Sequence, residues 1–316
     1  MSGEEILWIV FGIMIPVMLV LDLGVFHRTA HAVKIKEALL WSAAWISLAL
    51  LFDLGIYFLV GPEKALTFLT GYLVEESLSV DNLFVFLIIF TYFSVPAAYQ
   101  HRVLFWGILG AVFMRGIFIV AGLTLLTRLH WVIYIFGAFL VYTAGRLAFA
   151  KEEREIRPEK NPVLRLFRRL VPLTKRYHGQ RFLVTGGRHR LATPLLMVLV
   201  VIETTDIIFA VDSVPAVLSI TQDTFIVYTS NILAVMGLRS LYFALSGVIV
   251  KFYYLSYGLA VILAFLGVKM IISDFYKMPV AMSLGVVVGI LTIAGLLSVV
   301  RRKKHPEPEK EVSGEE

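Results

Sequence analysis

Nine apolar runs limit what this chain can fold into: about 6–26, 38–60, 66–90, 102–127, 129–150, 193–219, 224–246, 252–272 and 278–300. Each approaches or exceeds the roughly 20 residues a helix needs to cross a bilayer, and most spacers between them are short. Inside lipid, only helices and closed barrels satisfy every backbone N–H and C=O. The alternation of barrel strands is missing. The pattern therefore predicts an all-α polytopic membrane protein with about nine transmembrane helices. A hydrophobic content of 59% and a mean hydropathy of +0.83 lie well outside the range of a soluble domain.

The first run does not read as a cleavable leader. Glu4 and Glu5 make its flank acidic where a leader is basic, and no small-residue cleavage site follows. The absence of cysteine removes disulfides, thiol redox chemistry and thiolate metal sites. The net charge of +6 could mark a nucleic-acid binder, but its placement argues against that partner. Segment 151–192 holds twelve Lys/Arg against four Glu, and the tail opens with Arg301, Arg302, Lys303 and Lys304. Basic loops stay on the cytoplasmic side, beside anionic lipid. Counting helices back from there puts the 27–37 loop (Arg28, Lys34, Lys36) inside, and the N-terminus and the 61–64 loop outside. The single membrane domain then divides into two leading helices (1–65), a first unit (66–150), a basic cytoplasmic loop (151–192), a second unit (193–272) and a last helix with its cytoplasmic tail (273–316).

Several runs carry charge where an insertion scale puts a cost of about 2.5–3.5 kcal/mol on each mid-membrane carboxylate. The third holds Glu75, Glu76, Ser79, Asp81 and Asn82; the sixth holds Glu203, Asp206, Asp212 and Ser213. The fourth contains Arg115, the fifth Tyr142 and Arg146, and the seventh Asn231 and Arg239. Asp22 ends the first run near the inner surface, where pairing with Arg28 and a functional role are both open readings.

Laying Val80, Asp81 and Asn82 over Val211, Asp212 and Ser213 without gaps also places Glu75 on Asp206. The segment Gly107 to Arg115 likewise lies over Asn231 to Arg239. Each unit thus has an acidic helix, a helix with a mid-membrane arginine and an apolar third helix. The charge-derived topology sends the third helix inward and the sixth outward. The expectation is two inverted three-helix repeats, a plan that places transport sites at the interface between the repeats.

Six carboxylates (Glu75, Glu76, Asp81, Glu203, Asp206, Asp212) face two arginines, Arg115 and Arg239, on these helices or their successors. The excess must be protonated, solvated or balanced by a bound cation. Oxygen donors with Asn and Ser among them suit hard ions such as Mn²⁺, Mg²⁺ or Ca²⁺. None of the seven histidines lies deep in a run, which disfavours Zn²⁺ or Cu²⁺. A packing network of acids with Arg115 and Arg239 is the structural alternative. Positions six apart are turned by about 120° on a regular helix, so Glu75 and Asp81 share a face only if the helix is irregular. Pro215 removes a backbone bond near Asp212 and frees a carbonyl oxygen there.

The segments Glu75 to Phe84 and Glu203 to Ala216 resemble the two signature segments of the TerC family. Asn231 to Tyr242 and Asp22 to Arg28 resemble further blocks of it. The resemblance runs from about residue 15 to 275, and the order and loop lengths are most similar to the Alx branch. It implies an integral protein of the bacterial inner membrane, in the wider LysE-type transporter group, whose members are linked to manganese export and tellurium resistance. It would place Glu75, Asp81, Asn82, Glu203, Asp206, Asp212 and Ser213 on the ion path. The branch has also been labelled a redox modulator, but without cysteine or a haem ligand pair these residues supply no electron carrier.

The resulting expectation is a non-enzymatic secondary transporter exporting a divalent cation, Mn²⁺ first, with no permanently bound cofactor. Asp81 and Asp212 would be principal ligands, completed by Asn82 and Ser213. Glu75, Glu203 and Asp206 would be second ligands or proton acceptors. Glu76, Ser79, Asn231, Arg115, Arg239 and Asp22 would support the site. Two other classes stay open: a proton-coupled exporter of a small organic cation or amino acid, and a non-transporting scaffold that recruits partners through the 151–192 loop. Tellurite itself fits poorly, because an acidic path repels an oxyanion.

Overall fold

Nine helices follow the nine apolar runs in order among the described residues of the computed structural model. Those residues are 2–24, 35–129, 131–149, 164, 166–167, 171–174, 176–186, 189–247 and 254–304. The helices are α1 (Gly3–Gly24), α2 (Ile35–Leu59), α3 (Pro62–Tyr92), α4 (Ala97–Arg128), α5 (Val132–Phe149), α6 (Pro194–Leu218), α7 (Thr224–Gly247), α8 (Leu255–Ile271) and α9 (Val280–Lys304). The Asp22–Arg28 pairing, most of the basic loop, the end of the tail and the side chains of Asp22 and Asp81 lie outside the described residues.

Seven of these helices (α1, α2, α4 to α7 and α9) are long and apolar enough to cross a membrane. The other two depart from the run-by-run expectation for different physical reasons. Helix α3 has 31 residues, about 46 Å of rise, but Glu63, Lys64, Glu75, Glu76 and Asp81 remove its apolar signal. Helix α8 has 17 residues, about 25 Å, and packs on α5 rather than relying on its own length.

Local chemistry sets the ends. Gly61 takes φ 127°, which an L side chain rarely adopts, and Pro62 then starts α3 at a position with no N–H to lose. Pro194 starts α6 in the same way. Asp223 caps α7: its Oδ1 accepts from the amides of Phe225 at 3.0 Å and Ile226 at 3.3 Å.

The basic segment was expected to be a loop, and its described part contains a small hairpin. Strand β1 (Leu183–Gly186) pairs antiparallel with β2 (His189–Ala192), Leu183 opposite Ala192 and Gly186 opposite His189. The segment is tied to the α3–α4 connection. The Tyr177 hydroxyl donates to the Phe93 carbonyl at 2.7 Å, and the Arg102 guanidinium lies 5.3 Å from the Phe182 ring centroid.

Such ties sort the connections onto two faces. On one, Lys64 bridges Glu4 and Asp223, both at 2.7 Å, joining the N-terminus to the α2–α3 and α6–α7 connections. Tyr134 at the start of α5 donates to Asp274 after α8 at 2.7 Å, which adds the α4–α5 and α8–α9 ends to that face. On the other face lie the hairpin, the α3–α4 connection and the Tyr254 amide, which donates to Ser298 near the end of α9 at 3.2 Å. The helices therefore alternate in direction, and the basic segment shares a face with the Arg301–Lys304 end of α9.

Helix α7 is the hub. Of its apolar window 83% is buried, against 17% for α1 and for α9, and it packs on α2, α3 and α4. Its polar residues Thr229, Ser230, Asn231, Arg239 and Ser240 therefore face protein rather than lipid. Helices α4 and α6 pack together, as do α3 and α6. Helices α5 and α8 cross so closely that a Cβ on Gly137 would sit 2.9 Å from the Gly267 carbonyl, and one on Gly267 would sit 2.7 Å from the Gly137 carbonyl.

Candidate ion-path site

Arg115 sits at the middle of α4, fully buried, with fully buried Glu75 from α3 and nearly buried Asp206 from α6 beside it. Its Nη1 donates to Glu75, to Asn231 Oδ1 at 2.9 Å and to Ser213 Oγ at 3.3 Å. Its Nη2 lies 3.7 Å from Asp206 Oδ1. Asn231 Nδ2 donates to the second Glu75 oxygen at 2.9 Å. The planar guanidinium thus holds one acid from each of two acidic helices, while the Asn231 amide bridges cation and anion. Four helices meet here: α3, α4, α6 and α7.

A second polar group lies beside the first. Asn82, Thr143, Arg146, Asp212 and Ser213 line a narrow cavity of about 60 Å³ where α3, α5, α6 and α8 meet. A single water needs only about 10–15 Å³ measured this way, so the cavity can hold an ion with part of its hydration shell. Thr143 Oγ1 donates to Asp212 Oδ1 at 3.3 Å and ties α5 to α6. Ser213 belongs to both groups, bonded to Arg115 and lining the cavity.

Glu203 belongs to neither. Half-buried on α6, it places its carboxylate over Gly110 of α4, where an added Cβ would collide with the carboxylate. It faces an open groove of about 1020 Å³ walled by α4, α6 and Tyr228. Among the described residues, nothing hydrogen-bonds to either buried Glu76 carboxylate oxygen or to the buried Ser79 hydroxyl. Arg239 is buried about two turns beyond Asn231 on α7. Asp81 occupies α3 immediately before Asn82, and its side chain lies outside the described ones.

Among the described residues, no three His, Asp or Glu side chains converge as a metal cluster. Glu75, Asp206 and Ser213 meet at Arg115; Asn82, Asp212 and Ser213 meet at the cavity; Glu203 stands apart. Two contributors escaped the sequence reading. Thr143 is one of several hydroxyl residues in its apolar run, beside Tyr134 and Tyr142, and Gly110 is one of 23 glycines, so neither carries a pattern that marks it.

The model of the Integral membrane protein TerC family matches residues 60–306, more than three quarters of the chain and every residue of the geometry above. The chain belongs to the TerC family. Similar relatives include an uncharacterized membrane protein, STKORF319, of Myxococcus xanthus, 51% identical over 96% of this chain and 95% of its own. The proposed membrane-bound redox modulator Alx of Salmonella typhi is 48% identical over 92% of this chain and 93% of its own. Its Escherichia coli K12 namesake is 46% identical over 96% and 97%. No solved structure matches.

Proposed function

We propose that this TerC-family protein is a secondary transporter that exports a hard divalent cation, Mn²⁺ first, by alternating access between the α3–α5 and α6–α8 units. The cavity lined by Asp212, Asn82, Ser213 and Thr143 carries the reading: an all-oxygen donor set around an ion-sized space within the membrane. The expected second carboxylate ligand, Asp81, precedes Asn82 on α3, and its side chain lies outside the described ones. Arg146 lines the same cavity. Glu75 and Asp206 are positioning groups held by Arg115, and Ser213 links their network to the cavity.

Packing supports the two-unit plan. Exchanging α3 with α6, α4 with α7 and α5 with α8 maps the α3–α7 contact onto the α4–α6 contact and leaves the α5–α8, α3–α6 and α4–α7 contacts in place. The reciprocal approach of Gly137 and Gly267 fits the same exchange. The gathering of basic residues on one face supports a cytoplasmic hairpin and C-terminus and an external N-terminus, in a bacterial inner membrane. The redox name of the relatives gains no thiol from this chain, which has no cysteine.

The test is Mn²⁺ extrusion from cells that express the protein. Asp212→Asn and Asp81→Asn should each abolish extrusion while the protein still reaches the membrane. Full Mn²⁺ tolerance in both variants would sink the reading.

A further inference from the structure

Threonines in the helix interiors share one habit among the described residues, and Thr143 breaks it. Thr67, Thr70, Thr204, Thr205 and Thr229 each donate to the carbonyl four residues back on their own helix, at 2.6–2.7 Å. Thr143, buried on α5, instead donates across the bundle to Asp212 Oδ1 at 3.3 Å. That bond joins the α3–α5 unit to the α6–α8 unit at the wall of the cation cavity. Of the α5 residues on that wall, Leu147 is apolar and Arg146 can only donate, so Thr143 is the one side-chain oxygen this helix offers to a cation. A threonine hydroxyl has one proton and two lone pairs. With the proton on Asp212, the lone pairs remain for a ligand.

The spacing of the two oxygens bears on which ion fits. Neighbouring oxygens of an octahedral shell stand about 2.9 Å apart around Mg²⁺, whose metal–oxygen distance is about 2.0–2.1 Å. Around Ca²⁺, at about 2.3 Å and above, the same edge is about 3.3 Å or more. The 3.3 Å between Thr143 Oγ1 and Asp212 Oδ1 is therefore an edge for a hard ion larger than Mg²⁺. Closing it on Mg²⁺ would mean shifting α5, which the reciprocal contact of Gly137 and Gly267 holds against the unit that carries Asp212. Mg²⁺ also dehydrates reluctantly, and a cavity of about 60 Å³, which admits only part of a hydration shell, demands that dehydration. We propose that Thr143 is the specificity-determining ligand of this cavity, a neutral hard oxygen that spaces Asp212 for an ion of Mn²⁺ size and against Mg²⁺. The proposal rests on the export reading above and assigns the residue that makes it selective.

The test is metal flux in proteoliposomes that hold the full chain, with initial rates separating KM from kcat. Wild-type Mn²⁺ flux should resist excess Mg²⁺. Thr143→Ser keeps the oxygen and should match the wild type in both respects. Thr143→Val removes it and should raise the KM for Mn²⁺ by about tenfold or more, and Mg²⁺ should then inhibit, with kcat and helical circular dichroism little changed. Thr143→Cys puts the only thiol of the chain at the cavity wall. It should shift preference severalfold from Mn²⁺ toward Cd²⁺, a soft ion, which loosened packing alone would not do. Three results overturn the inference and leave the export reading standing: unchanged KM and Mg²⁺ rejection in Thr143→Val, an equal loss of kcat for every ion in that variant, or no gain of Cd²⁺ in Thr143→Cys. Wild-type liposomes that move no Mn²⁺ would refute the export reading, and this inference with it.

Discussion

Replacing Arg115 by methionine should cost far more stability than the net value of the ion pairs it makes. At 3.7 Å, the separation of Arg115 and Asp206, two unit charges attract by roughly 4 kcal/mol at an effective dielectric near 20. Burying each ion costs several kcal/mol, so the intact network comes out near balance. Methionine removes the cation but leaves two buried acids, Glu75 and Asp206, and among the described residues no other cation is bonded to Glu75. Breaking such a network from one side costs about 3–5 kcal/mol. Adding Glu75→Gln and Asp206→Asn neutralises the leftover charge, and the triple variant should regain most of that loss. Arg115→Lys should be intermediate, because one ammonium cannot occupy the Nη1 and Nη2 positions together. The assay is reversible unfolding in mixed micelles, followed by helical ellipticity across a detergent titration. Arg115→Met within about 1 kcal/mol of the wild type, or a triple variant no more stable than Arg115→Met, would refute the reasoning.

Three further perturbations probe the scaffold. Gly137→Ala places a methyl 2.7 Å from the Ile271 side chain and 2.9 Å from the Gly267 carbonyl; it should destabilise by about 1–3 kcal/mol through overpacking, less up to about 1 kcal/mol of helix propensity, in the same assay. Hydrogen bonds to Asp223 and then to Glu4 hold the Lys64 ammonium above its ordinary pKa. The stabilisation from Lys64 should therefore be constant below the ordinary lysine value of about 10.4 and fall away only as alkali passes its raised value. Because Lys64 is more than a third exposed, Lys64→Met should cost less than about 1 kcal/mol at neutral pH, measured by the same unfolding titration across pH. Burial raises the Tyr177 phenol, which stays a donor to Phe93 through the neutral range. Tyr177→Phe should loosen the loop by about 0.5–1.5 kcal/mol and speed tryptic cleavage after Arg176 or Arg181 severalfold.

The nine helices were legible because lipid imposes length and apolarity on every span, and Pro62 and Pro194 mark two of their starts. Helix α3 was legible as the apolar run 66–90, although its charges interrupt that signal. The hairpin was legible in principle: Val184 and Thr185 are β-branched and followed by Gly186 and Gly187, but the charge of the segment masked the pattern. The tie between Glu75 and Arg115 could be anticipated from charge balance. What the string of residues could not give was the rotation of each helix about its axis. Glu203 and Asp206 are three positions apart on α6, which places them near one another along the helix, yet one faces lipid and the other faces Arg115. That difference is set by which neighbour has a glycine in the right turn, here Gly110, and only packing reveals it.

The cost of mid-membrane acids is therefore met in three physically different ways within about ten residues of α6. Asp206 is held beside a buried guanidinium, Asp212 takes a hydroxyl bond from Thr143 at the wall of a cavity, and Glu203 is left at a glycine notch that opens to lipid. A helix selected only for packing has no use for three solutions, since an apolar residue at each position would cost nothing to bury. The proposed ion path would account for the second, and the first would follow from it. The fully buried Arg115 that restrains Asp206 also bonds Ser213 at the cavity wall, so any motion that opens the cavity must disturb a network anchored in both acidic helices.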